Sequence, residues 1–392
     1  MGVAEIRDLL AETADLACSP RNRELRARWQ RSFGRGDRAR LPGEVSYLAF
    51  VGPSVWARKF GFSLVDFYTD PDTYLEWTLR INLFRFKEVQ DDAPLGTHLG
   101  FFLGSGFESS LFGGHQIYKA DQDPWVDREP LVREPEDLAR LAKPDFYSSG
   151  LMPLAHRFYN RIRELAGDAF EVDMPEMSRG PFGLAWHLRG HDALMLDLLA
   201  NPEFAHRLLR FATDARKHYE LQRAEFLGRA IGLGMLGNDE VNVPCISPRL
   251  YREFVLPLEK DLADFHGGIR YWHCCGNITP LLPLIQELRP EVQHVSPFND
   301  FATAVGLAGD SVIEVWMHPA EDVVLADEAA MERALRAKVE VCEAKQVKGY
   351  TIRTGHVQVM RSADHSIEQM RTWVRVAHRV AEEFAESALR RN

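Results

Sequence analysis

The run Tyr271-Trp272-His273-Cys274-Cys275-Gly276-Asn277 places an imidazole and a thiol two residues apart at the end of a short apolar stretch. A strand that stops there on a glycine turn aims both groups at one point above the rim of its sheet. Imidazole nitrogen and thiolate sulfur are the donors zinc prefers. Adjacent residues of a strand point to opposite faces, so only one of the two cysteines can share the face of His273. Cys275 is expected as the ligand and Cys274 as small buried filler. His356, in Thr354-Gly355-His356, is the expected third ligand. Three protein ligands leave one position open, the pattern of catalytic zinc. A thiol or hydroxyl bound there is deprotonated at neutral pH. Asp239 and Glu240 are expected as general acid–base groups, with a fourth ligand or a helix cap ahead of Ser247 as other readings. Arg179, Trp272 and Asn277, also near strand ends, are expected to contact substrate.

These residues need a scaffold that delivers them to one rim. From about residue 165 onward, short apolar runs alternate with long amphipathic ones. The expected strands are Phe170–Met174, Ile231–Leu236, Ile269–His273, Val292–Val295, Val312–Trp316 and Gly349–Ile352, with His98–Leu103 and Val45–Phe50 before them. Helices are expected at Asp192–Leu199, Pro202–Glu225, Pro248–Phe265, Ile278–Leu288 and Ala329–Cys342; Asn201-Pro202 and Ser247-Pro248 put proline just inside a first turn. Such alternation implies a parallel sheet with helical crossovers, and about eight strands favour a closed (β/α)₈ TIM-type barrel. Residues 1–90 read as a mainly helical N-terminal extension that caps a barrel formed by residues 91–392. Polar clusters follow five strands: Glu176 to Gly180, Gly237 to Glu240, His273 to Asn277, His318-Pro319 and Thr354 to His356. In a barrel they converge on the C-terminal face, where catalytic groups sit. His318-Pro319 reads as a helix start, and Gly104 to Gly114 as a loop over the mouth.

Composition narrows the class. The chain has 392 residues, 45% hydrophobic, and 47 basic against 57 acidic side chains give a net charge of −10. An acidic balance argues against nucleic acid or an anionic membrane as partner. The basic run Arg21 to Arg40 contains Glu24 and Asp37 and reads as a solvated helix. No apolar run reaches the roughly 18 residues that cross a bilayer, and an acidic N-terminus is unlike a signal peptide. Five cysteines are too few and oddly numbered for a disulfide framework. A cytoplasmic protein with reduced thiols is expected. No Gly-x-Gly-x-x-Gly turn supports dinucleotide binding.

The chain resembles the uroporphyrinogen decarboxylase superfamily. The resemblance rests on Gly180-Pro181-Phe182, Leu188-Arg189-Gly190, Asp197 to Glu203, Asp239, the run Ser247 to Pro257, and His273 to Ile278. It covers residues about 60 to 380 and implies a (β/α)₈ barrel. One branch comprises metal-free decarboxylases of a tetrapyrrole; their Gly-His turn has a counterpart in Gly355-His356, but the Arg-rich segment near their start has none. The other branch comprises zinc-dependent methyltransferases that exchange methyl groups with a corrinoid protein. His273-Cys274-Cys275 matches their His-x-Cys, while Gly355-His356 stands where they carry Gly-Cys. The resemblance therefore implies Zn²⁺, a corrinoid (cobalamin) supplied by a partner protein or free, a small methyl donor or acceptor, and a homodimer. One thiolate fewer makes the metal more electrophilic, which favours demethylation of an O-methyl donor. A metal-free lyase using His356, Asp239 and Arg179, and a silent tetrapyrrole- or corrinoid-binding barrel, are the competing readings.

Overall fold

The computed structural model describes residues 2–35, 39–127 and 129–390. Gly36 to Arg38, within the basic run, lie outside them; the preceding part of that run is the helix Pro20–Ser32. Besides an antiparallel pair, Gln116–Ile117 with Trp125–Val126, the strands are β1 (Tyr47–Leu48), β2 (His98–Leu99), β3 (Glu171–Val172), β4 (Gly234–Gly237), β5 (Ile269–His273), β6 (Val292–Val295), β7 (Val312–Trp316) and β8 (Tyr350–Arg353). All neighbouring pairs among them are parallel, in the order β1-β8-β7-β6-β5-β4, with β2 and β3 forming a second pair. A parallel bridge between Arg179 and Gly237 joins the chain after β3 to β4.

The free edge of β1 is capped by Asp91 and Asp92, which precede β2 in the chain. Asp92 accepts the Tyr47 N–H at 2.9 Å and Asp91 accepts the Ala49 N–H at 2.8 Å. The Asp92 N–H in turn donates to the Tyr47 carbonyl at 3.0 Å. Edge donors that a neighbouring strand would satisfy are thus taken by two buried carboxylates, as buried backbone polar groups require. The architecture is α/β of the TIM-barrel type. Helices cover the outside of the strands, and a single large apolar cluster runs from Ile6 to Val380.

Residues 1–90 hold the helices Val3–Ala17, Pro20–Ser32, Pro53–Phe60, Leu64–Thr69 and Pro71–Phe84. They also supply β1, whose Tyr47 and Leu48 pair with Ile352 and Arg353. The expected extension therefore contributes a stave of the barrel as well as covering it.

Two expected helices are broken, both by proline. Pro248–Phe265 becomes Pro248–Leu250, a wider π turn over Tyr251–Val255, and Leu256–His266. Pro257 has no N–H to return to the preceding turn, so the hydrogen-bond ladder widens there. Pro280 and Pro283 likewise reduce Ile278–Leu288 to short 3₁₀ and α turns. Among the described residues, no helix is long and apolar enough to cross a membrane.

Candidate metal centre

His273 is the last residue of β5, and Asp239 and Cys275 follow the ends of β4 and β5. Donor atoms of these three lie within 4.8 Å of one another, the one such cluster among the described residues. Sγ of Cys275 is 3.3 Å from Nε2 of His273, and that nitrogen is 3.4 Å from Oδ1 of Asp239. Bonds of about 2.0–2.3 Å to a tetrahedral zinc hold its ligands at about this spacing. The donor set therefore fits zinc. Asp239 is fixed by a hydrogen bond from the Cys275 N–H at 2.9 Å. Loss of water works to raise the pKa of Asp239, but the His273 ring and the two hydrogen-bonding groups of Cys275 hold it well below the usual carboxylate range. Burial and the Asp239 carboxylate push the Cys275 thiol up. Without a cation this thiol keeps its proton; a bound metal would displace it.

A second layer sets the ring of His273. The Tyr271 hydroxyl donates to Glu314 at 2.6 Å and lies 3.2 Å from Nδ1 of His273. With its proton given to Glu314, that oxygen can only accept from Nδ1–H. With Nδ1 so engaged, Nε2 is the nitrogen that would face a metal beside Cys275, the outer-layer arrangement typical of zinc-bound histidine. His294 stacks on His273 with ring centres 4.2 Å apart. Its own Nδ1 is 2.8 Å from the Cys274 carbonyl, and burial drives its pKa far down, so it stays neutral.

Behind the strands a fully buried carboxylate ties the two ligand-bearing ends together. Glu259 accepts hydrogen bonds from Asn238 at 2.8 Å, Tyr251 at 2.6 Å and Trp272 at 3.2 Å. Asn238 and Trp272 are the residues just before Asp239 and His273. The Asn238 N–H also donates to the His273 carbonyl at 2.8 Å, locking β4 to β5 at this level.

The expected site residues divide. His273 and Cys275 come together as expected, and Cys274 is buried, facing the Val241 carbonyl at 3.4 Å. His356 lies outside the cluster. Its ring packs 5.0 Å from that of Phe50 and against Gly52, where a Cβ would fall 2.3 Å from Nε2. That Nε2 is buried without a hydrogen-bond partner among the described residues, and burial lowers its pKa. Asp239 takes the third position instead.

Glu240 turns away from Asp239. It accepts from Arg179 at 3.0 Å and pairs with His187 at 3.1 Å. Arg179 spends its other terminal nitrogen on the Ser105 carbonyl at 3.1 Å, so its guanidinium holds the protein's own groups. Trp272, expected at the substrate, is 0% exposed and faces the helical layer, because it alternates with Tyr271 and His273. Asn277 accepts the Thr279 N–H at 3.0 Å and caps the next turn. His318 likewise caps the turn starting at Pro319. Among the aromatic side chains that follow β2 and β6, Phe102 and Phe298 are exposed while Phe101, Phe107 and Phe112 are core.

Tyr271, Glu259, Glu314 and His187 were missed. Glu314 carried a signal: it is the one acid inside the apolar run Val312–Trp316.

Fold and site together define a member of a known family. The uroporphyrinogen decarboxylase (URO-D) family matches residues 56–380, and the chain belongs to that family. The methylated-thiol–coenzyme M methyltransferase of Methanosarcina mazei is 31% identical over 169 residues, which is 43% of this chain and 44% of that protein. The match thus spans less than half the length of this curated relative. A solved methyltransferase structure from Methanosarcina mazei shares the fold, with a TM-score of 0.66 at 15% identity over 91% of this chain and 98% of the other.

Proposed function

We propose that this protein is a zinc-dependent methyltransferase that moves a methyl group between a small donor and a corrinoid, carried by a partner protein or free. The observation that carries the reading is the cluster of Asp239, His273 and Cys275 at the strand ends of a URO-D family barrel. The likeness to a methylated-thiol methyltransferase supports the reaction class. His273 and Cys275 would hold the metal with Asp239. When bound, zinc supplies Lewis acidity and lowers the pKa of a coordinated thiol or hydroxyl.

The chain's own groups do the rest. Asp239 is ionised at neutral pH, so it acts as a ligand rather than an acid. Glu240, paired with Arg179 and His187, braces the mouth between β3 and β4. The half-exposed Asp239 leaves the centre open to solvent, which can protonate a departing alcohol or thiol. Phe102 and Phe298, 55% and 60% exposed, give the rim an apolar surface suited to a corrinoid-bearing partner. A single thiolate favours an O-methyl donor. Reduced cysteines fit a cytoplasmic setting.

The test is methyl transfer to cob(I)alamin, followed by the visible spectrum of methylcobalamin. Zinc-loaded protein should form it from a methoxylated aromatic or a methylated thiol, and Cys275→Ala should lose at least about a hundredfold in rate. No transfer from either donor class would sink the reading.

A further inference from the structure

Arg353 ends β8 and alternates with Ile352, so its side chain enters the barrel mouth while Ile352 is buried outside. Its guanidinium carbon stands 5.5 Å from the ring centre of Phe50 and 5.8 Å from that of Trp316. Two aromatic rings thus flank the cation, an arrangement a planar guanidinium supports better than an ammonium. One edge is engaged: Nη2 is 3.3 Å from Oε2 of Glu314. Glu314 is itself shared, since its other oxygen accepts from Tyr271 at 2.6 Å and Trp316 at 2.8 Å. Nε of Arg353 is buried with no hydrogen-bond partner. A guanidinium offers five N–H donors, and a buried one left unmatched is costly. Nη1 makes no hydrogen bond or ion pair among the described residues and the side chain is 25% exposed, so this terminal nitrogen is the donor that a ligand entering the mouth can reach.

Its place relative to the candidate metal centre says what that ligand is. The Trp316 ring is also 5.3 Å from the ring of His273. One indole therefore separates the guanidinium from the ligand cluster. A molecule lying along Trp316 and Phe50 can set an oxyanion on Arg353 and a methylated oxygen or sulfur at His273 and Cys275. We propose that Arg353 is an oxyanion subsite, selecting methyl donors that carry a carboxylate or sulfonate about one ring's width from the methylated heteroatom. This rests on the methyltransferase reading for the word donor; the subsite itself requires only the anion and the aromatic floor.

The experiment is calorimetric titration of zinc-loaded and metal-free protein with 4-methoxybenzoate, 4-methoxybenzenesulfonate and 4-methoxytoluene. In the native protein, at least one of the two acids should bind about tenfold or more tighter than the neutral analogue, the scale of one charge-assisted hydrogen bond. The carboxylate and sulfonate arms show which oxyanion fits. Arg353→Gln should reduce the acid preference to within about twofold while zinc content and affinity for 4-methoxytoluene stay unchanged. Arg353→Lys should keep part of the preference. Equal binding of acid and neutral probes, no binding of any probe, or an acid preference that survives Arg353→Gln would each overturn the subsite. An intact acid preference without methyl transfer to cobalamin would instead keep the subsite and remove the assigned reaction.

Discussion

The hydroxyl of Tyr271 stands between Glu314 and the Nδ1 of His273, 2.6 Å from the first and 3.2 Å from the second. Because Tyr271 and His273 alternate on one face of β5, the strand that carries the proposed ligand also carries the group that orients it. Glu314 on β7 completes the chain of contacts across the barrel interior.

Tyr271→Phe tests that orientation. The ring volume is kept, while the acceptor for Nδ1–H and a donor to Glu314 are both lost. Zinc affinity, measured by competition with a chromophoric chelator, should fall about 10- to 100-fold, the usual effect of losing an outer-layer partner. Thermal stability of the metal-free protein should fall modestly, because Glu314 loses one donor and keeps Trp316 and Arg353. An unaltered zinc affinity would show that His273 is oriented by its stacking on His294 alone.

Asp239 also governs the thiol beside it. Burial and this carboxylate both raise the Cys275 pKa. Removing the charge in Asp239→Asn should lower that pKa towards the ordinary thiol value and increase the thiolate fraction at neutral pH. In metal-free protein, alkylation of Cys275 by iodoacetamide at pH 8 should therefore accelerate several-fold. A slower reaction in the variant would contradict the electrostatic account.

Glu259 makes a pH-dependent contribution to stability. Burial raises its pKa from 4.5 to about 7 despite hydrogen bonds from Tyr251, Trp272 and Asn238. Folding favours its protonated form, so its contribution is complete below about pH 4.5 and declines as pH rises towards 7. A shift of this size corresponds to an effect on the order of 3 kcal/mol. Glu259→Gln should flatten the fall in denaturant midpoint between those two pH values. An identical slope in the variant would assign the carboxylate an ordinary pKa.

Much of this was legible in the chain. Ile269–His273, Val292–Val295 and Val312–Trp316 form the strands expected of them, because short β-branched and aromatic runs bounded by turns have few other options. His273 with Cys275, and the turning away of Cys274, followed from side-chain alternation. The same alternation excludes Trp272 from the mouth, and applying it to Tyr271 would have named the residue that orients His273. What spacing could not supply was the neighbour across the barrel. Asp239 and His356 both follow strand ends, yet the Cys275 N–H draws Asp239 into the cluster while Phe50 and Gly52 hold His356 apart. The partners of Glu240, Arg179 and His187, are distant in sequence and equally beyond the reach of spacing.

The central claim is a zinc site built on His273 and Cys275, and plasma mass spectrometry of purified, tag-free protein tests it most directly. The account predicts about one zinc per chain in the native protein and in Cys274→Ala, and close to none in Cys275→Ala. His356→Ala should weaken retention less than Cys275→Ala does. No metal in the native protein, or equal loss in both cysteine variants, would contradict the account.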